Sequence, residues 1–166
     1  MNKLIFAAII LLLGLLQATI LDAFKFFWVK PDLLLASVVI ASLSLELRWS
    51  LAAASLAGFL KDITGVYSFG IYTLLFPLWS FLIIRLSKQI TLDNDFLPPV
   101  LVSLTVLLNS IIVRALSLTL GNPVASIGIF LRVTIIESLY TALIFPLLFK
   151  IVKPVFYGVG KYKTLS

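Results

Sequence analysis

A bundle of about six transmembrane helices, all-α and in a single domain, is what the composition of these 166 residues predicts. Three observations lead there. Apolar residues make up 61% of the chain and charged ones 12%, against about 45–50% and roughly a quarter in soluble domains. The mean hydropathy is +1.17. Long apolar runs alternate with short clusters of charge and turn residues. A water-soluble fold of this size cannot bury so much apolar surface, which excludes a soluble globule, a disordered chain and a fibrous repeat together.

The first segment, residues 4–21, is 18 residues without a charge, enough for one crossing. It lacks a good cleavage site at Gln17-Ala18-Thr19-Ile20 and is expected to be retained. The second and third segments, residues 33–47 and 49–63, are short. Leu33–Leu47 holds 15 residues and the apolar run Trp49–Leu60 holds 12. That is roughly 22 and 18 Å of helix against a hydrocarbon core of ~30 Å. Either both extend into their polar flanks or they form a re-entrant hairpin. Lys30-Pro31-Asp32 suits a helix start, since proline is tolerated in a first turn.

The fourth segment, residues 69–84, carries Pro77 in its middle and ends at Arg85 and Lys88. The polar stretch Thr91–Asp95 is a loop, and Pro98-Pro99 opens the fifth segment, residues 100–120. Gly121-Asn122-Pro123 is a turn. The sixth segment, residues 127–149, is followed by a basic tail, residues 150–166, with Lys150, Lys153, Lys161 and Lys163.

Charge placement sets the orientation. With six crossings and the N-terminus inside, eight of the 13 cations lie on the cytoplasmic side, namely Lys3, Arg48, Arg85, Lys88 and the four tail lysines. Only Lys25, Lys30 and Lys61 lie outside. Both termini are therefore expected in the cytoplasm, and the net charge of +6 suits anionic lipid rather than nucleic acid. The absence of Cys and His removes thiolate chemistry, the commonest general base and the usual metal ligands. No catalytic residue, cofactor or metal site is expected.

Ionisable groups inside a span usually face the bundle. Glu137 lies ten residues into the sixth segment, about 15 Å from its outer end, and Thr134, Tyr140 and Thr141 share its face. Asn109 reaches a similar depth on the fifth segment, where Ser103, Ser110, Arg114 and Ser117 form a stripe. A contact among Glu137, Asn109 and Arg114 is expected to clip the two helices together. Helix packing, a proton relay or ligand site, and a partner groove are all compatible with it. Small residues at Ala53/Ala57, Ala54/Gly58, Gly14/Ala18 and Ser37/Ala41 permit close helix approach. The junction Gly58-Phe59-Leu60-Lys61-Asp62-Ile63-Thr64-Gly65, with Gly70 beyond it, is a helix-turn-helix. There Asp62 would cap a helix N-terminus or pair with Lys61.

These residues in this order resemble the MreD family of rod shape-determining membrane proteins. The likeness rests on a hydrophobic first span, Lys30-Pro31-Asp32-Leu33-Leu34-Leu35, Gly58-Phe59-Leu60-Lys61-Asp62 with Gly65 and Phe69-Gly70, Pro98 before the fifth span, and the basic tail. It covers essentially the whole chain, although Lys61 stands where the family is usually uncharged. The resemblance implies a non-enzymatic scaffold of the bacterial elongation machinery in the cytoplasmic membrane. Such a scaffold binds the transmembrane helix of MreC, connects peptidoglycan synthesis outside with MreB inside, and has RodA and a class B penicillin-binding protein among its possible partners. It also implies a fold similar to the S components of energy-coupling-factor transporters, so a vitamin-binding S component is the alternative. The outer loops supply Phe26, Phe27, Trp28, Tyr67 and Tyr72 but few hydrogen-bonding side chains, which weighs against such a pocket. For a scaffold, the small residues Ala54 and Gly58 are the candidate surface for a partner helix.

Overall fold

A computed structural model describes residues 3–19, 29–65, 70–88 and 96–157. Lys25, Phe26, Phe27, Trp28, Tyr67, Phe69, the loop at 91–95, Lys161 and Lys163 lie outside the described residues. Among the described residues six helices follow in order: α1 Lys3–Ala18, α2 Leu33–Ser44, α3 Leu47–Thr64, α4 Ile71–Ser87, α5 Leu97–Thr119 and α6 Ile127–Tyr157.

Punctuation in the sequence sets most of these ends. The Asp32 carboxylate accepts the N–H of Leu35 at 3.1 Å and starts α2. Prolines occupy the first turn of α5, where their missing N–H costs nothing. At the far end of α5, Gly121 adopts φ +72. Asn122 N–H there reaches Ser117 O at 3.0 Å and Gly121 N–H reaches Leu118 O at 3.1 Å, which closes the last carbonyls in a Schellman turn. Pro77 lies inside α4 without ending it, as neighbouring helices allow in a membrane bundle.

The helix ends depart from the expected spans by a few residues at several places, and two departures matter most. The second segment ends at Ser44 rather than residue 47, because Leu45 turns extended and only Leu45-Glu46 links α2 to α3. Its 12 residues make about 18 Å of helix, short of the ~30 Å hydrocarbon core. In contrast, α6 does not stop at residue 149. It runs through Lys150 to Tyr157, so the start of the basic tail is helical.

Helix α2 is the axis of the bundle. It touches every other helix, and Leu33 to Ser42 are buried without interruption. Phe76 of α4, Phe145 of α6 and Ile10 of α1 fill the core around its own Leu34, Leu35 and Ile40. The outside is apolar as well. On α6 the exposed residues Ile127, Leu131, Ile135, Leu139, Leu143, Leu147 and Ile151 recur every four positions, forming one continuous ridge. Helices α5 and α6, over Leu97–Thr119 and Ile127–Val152, are long and apolar enough to cross a membrane. A surface of this kind is at home in lipid and untenable in water.

Candidate functional site

The start of α2 is a polar hub inside the bundle. Asp32 is 1% exposed, and an isolated carboxylate there would be very costly. It is fully engaged. One oxygen caps α2 and accepts from Gln17 Nε2 of α1 at 3.4 Å. The other pairs with the Lys61 ammonium of α3. Gln17 returns its own oxygen to Leu34 N–H at 2.9 Å. The backbone N–H of Asp32 donates to the Thr141 hydroxyl of α6 at 2.9 Å, and that hydroxyl donates to Glu137 O at 2.7 Å. Lys61 also lies 4.8 Å from the Tyr72 ring and 5.6 Å from the Phe76 ring of α4, within cation–π range. Five helices thus meet at one ion pair.

Lys61 therefore is not the outer-loop cation that the charge count assumed. It pairs with Asp32, 29 positions away, and not with its neighbour Asp62. Asp62 takes the capping role instead. From the last turn of α3 it accepts Tyr72 N–H at 3.1 Å, Thr73 N–H at 2.7 Å and the Thr73 hydroxyl at 2.5 Å. Those amides are orphan donors at the N-terminus of α4, where the helix dipole also favours an anion. Gly70, at φ +90, precedes α4 in a left-handed conformation, as expected of a glycine at this junction. Gly65 ends α3 with φ −87, in the extended region.

Gly58 is a point of close approach within the chain. A Cβ built on it would stand 2.3 Å from Tyr72 O and 2.9 Å from Thr73 Cα. Ala54 is fully buried and Gly58 is buried with it. The expectation that Ala54 and Gly58 face a partner helix is thus corrected, because the chain's own packing, with α4 against Gly58, occupies this face.

The expected cluster of Asn109, Arg114 and Glu137 is divided between two places. Asn109 is buried and accepts from Trp79 Nε1 of α4 at 3.2 Å. Arg114 donates to Ala125 O at 2.9 Å and lies 4.5 Å from the Phe130 ring, bracing the α5–α6 connection. Glu137 is half-buried and stands close enough to Lys61 and Asp32 to interact electrostatically with both. It shares with Arg114, but not with Asn109, the wall of a cavity of about 260 Å³. The polar face around Glu137 does look inward, since Thr134 and Thr141 are buried.

Sequence reasoning missed a second polar cluster. Ser42 of α2, Ser50 of α3 and Ser80 of α4 are all buried. Their hydroxyls form a triangle with sides of 3.0, 3.2 and 2.7 Å. Ser80 sits four positions after Phe76 on the buried side of α4, and that spacing was the available signal. Chemically, the hub and the triangle join helices to one another. Among the described residues, no group of three carboxylates or other metal-ligating side chains comes together.

The family model described as rod shape-determining protein MreD matches residues 1–155 of this sequence. No curated protein and no solved structure matches, so the implied likeness to S components has no structural counterpart to support it.

Proposed function

Because the chain belongs to the MreD family, and so has a role in determining rod cell shape, we propose that it is a non-enzymatic membrane scaffold of the elongation complex. In this reading it binds the single transmembrane helix of MreC and couples peptidoglycan synthesis on one side of the membrane to MreB on the other. Both termini face the cytoplasm, as the bias of cations predicts.

The family match over residues 1–155 carries this reading. The geometry agrees with it. The buried Asp32 and Thr141 and the part-buried Gln17 and Lys61 are engaged with other helices, which makes a rigid body rather than a reaction centre. With Ala54 and Gly58 spent inside the bundle, the partner helix packs on an outward apolar face.

The test is co-purification. The full chain, tagged and co-expressed with MreC, should retain it through detergent extraction. Because the chain has no cysteine, single-Cys variants at exposed positions such as Leu78 of α4 and Leu139 of α6 then map the contact by cross-linking. A folded chain that purifies alone and cross-links to nothing would overturn the scaffold reading.

A further inference from the structure

The cavity of about 260 Å³ between α5, α6 and the start of α4 is not used by the scaffold reading. Arg114, Glu137, Tyr72, Phe130, Ser110 and Thr134 line it. Its two charges have opposite sign and different depths. Arg114 is five positions from the end of α5 and Glu137 ten positions from the start of α6. At 1.5 Å per residue that is roughly 8 and 15 Å below the α5–α6 connection.

Neither charge is exhausted. Arg114 gives one bond to Ala125 O, and a guanidinium has five donors. At the deeper of the two positions, Glu137 is within electrostatic reach of the Lys61 ammonium and of a second carboxylate, Asp32. Asp32 is taken by its ion pair and its cap. Glu137 is left without a cation of its own, and its carboxyl group accepts no hydrogen bond among the described residues. A cavity with a guanidinium nearer the α5–α6 connection, a carboxyl group deeper in, aromatic walls at Tyr72 and Phe130, and hydroxyls at Ser110 and Thr134 complements a ligand of the reverse polarity.

We propose that this cavity binds a phosphoethanolamine-type group, with the phosphate on Arg114 and the primary ammonium on Glu137. A primary ammonium supplies N–H donors for the Glu137 oxygens, and a trimethylammonium does not. An anionic headgroup without an amine meets Glu137 with like charge. The group can arrive as a lipid headgroup or as a soluble phosphoamine, and the chemistry is shared. The inference is independent of the scaffold reading.

The full chain in detergent is titrated with phosphatidylethanolamine, phosphatidylcholine and phosphatidylglycerol and read by native mass spectrometry. Soluble O-phosphoethanolamine is tested in parallel by thermal shift. We expect phosphatidylethanolamine to bind at least tenfold more tightly than phosphatidylglycerol. Glu137→Gln should erase that preference and Arg114→Gln should weaken phosphatidylethanolamine and phosphatidylcholine alike. Ser110→Phe, which fills the cavity without touching a charge, should abolish binding while the melting temperature shows the chain still folded. Binding of the soluble compound as tight as that of the lipid identifies a free ligand, and binding of the lipid alone identifies a headgroup. Equal binding of all three lipids, or binding indifferent to all three substitutions, overturns the proposal.

Discussion

Lys61 and Asp32 form an ion pair across 29 positions of sequence, tying the last turn of α3 to the first turn of α2. Asp32 is 1% exposed and the Lys61 side chain 14%, so the Asp32 carboxylate has almost no water to turn to if Lys61 is removed. Removing one partner of a buried pair costs about 3–5 kcal/mol, whereas replacing both costs far less. Lys61→Met and Asp32→Asn should each destabilise the protein strongly, and the double variant should recover most of the loss. Thermal unfolding of all four proteins in one detergent provides the cycle.

The close approach at Gly58 sets up a second comparison. Gly58→Ala puts a methyl 2.3 Å from a backbone carbonyl that cannot move aside alone. The cost should reach about 3 kcal/mol, the top of the usual overpacking range. A Cβ on Gly14 would crowd the flexible Leu60 Cδ1 tip at 3.2 Å and otherwise make ordinary contacts at 3.7 Å, and alanine gains about 1 kcal/mol of helix propensity over glycine. Gly14→Ala should therefore be near neutral. Melting temperatures that fall equally for both would refute the distinction.

Asp62 is tested through the helix it caps. Asp62→Ala strips acceptors from Tyr72 N–H, Thr73 N–H and the Thr73 hydroxyl and should cost about 1–2 kcal/mol. Asn keeps one oxygen acceptor, so Asp62→Asn should be the milder change. Hydrogen exchange at Tyr72 and Thr73 should rise more in the Ala variant than in the Asn variant.

The serine triangle should behave as a unit. Interhelical hydrogen bonds in membranes average about 0.6 kcal/mol, and Ser80→Ala removes two sides of the triangle. Its cost should be about 1 kcal/mol. The triple alanine variant of Ser42, Ser50 and Ser80 should cost less than the sum of the three single changes, since shared partners are lost only once. Strict additivity in unfolding experiments would show that the hydroxyls act separately.

Much of the fold was legible because punctuation and hydropathy are local. Asp32 before α2, the Pro98-Pro99 start of α5 and the Gly121 turn all stand where the sequence placed them. The inward polar face of α6 followed from three- and four-residue spacing. The pairings were not legible. Asn109 went to Trp79, an indole that nothing in the sequence marks as its donor. Asp32 and Lys61 each lie at a segment edge, where charges ordinarily meet water, and only the third dimension makes those edges an interior. Small residues such as Ala54 and Gly58 announce close approach but not what approaches. Here Gly58 meets the chain's own backbone.

Helix α2 has a consequence for how the protein is made. It leaves the ribosome before α3 to α6 do, yet it has 12 residues and touches every other described helix. Emerging early, it is too short to be committed to the bilayer alone, and the neighbours that will enclose it are still being translated. The amide of Asp32 has its acceptor on Thr141, more than a hundred residues downstream. The hub therefore closes only once α6 has been made, and α6 is the helix that seals α2 in place.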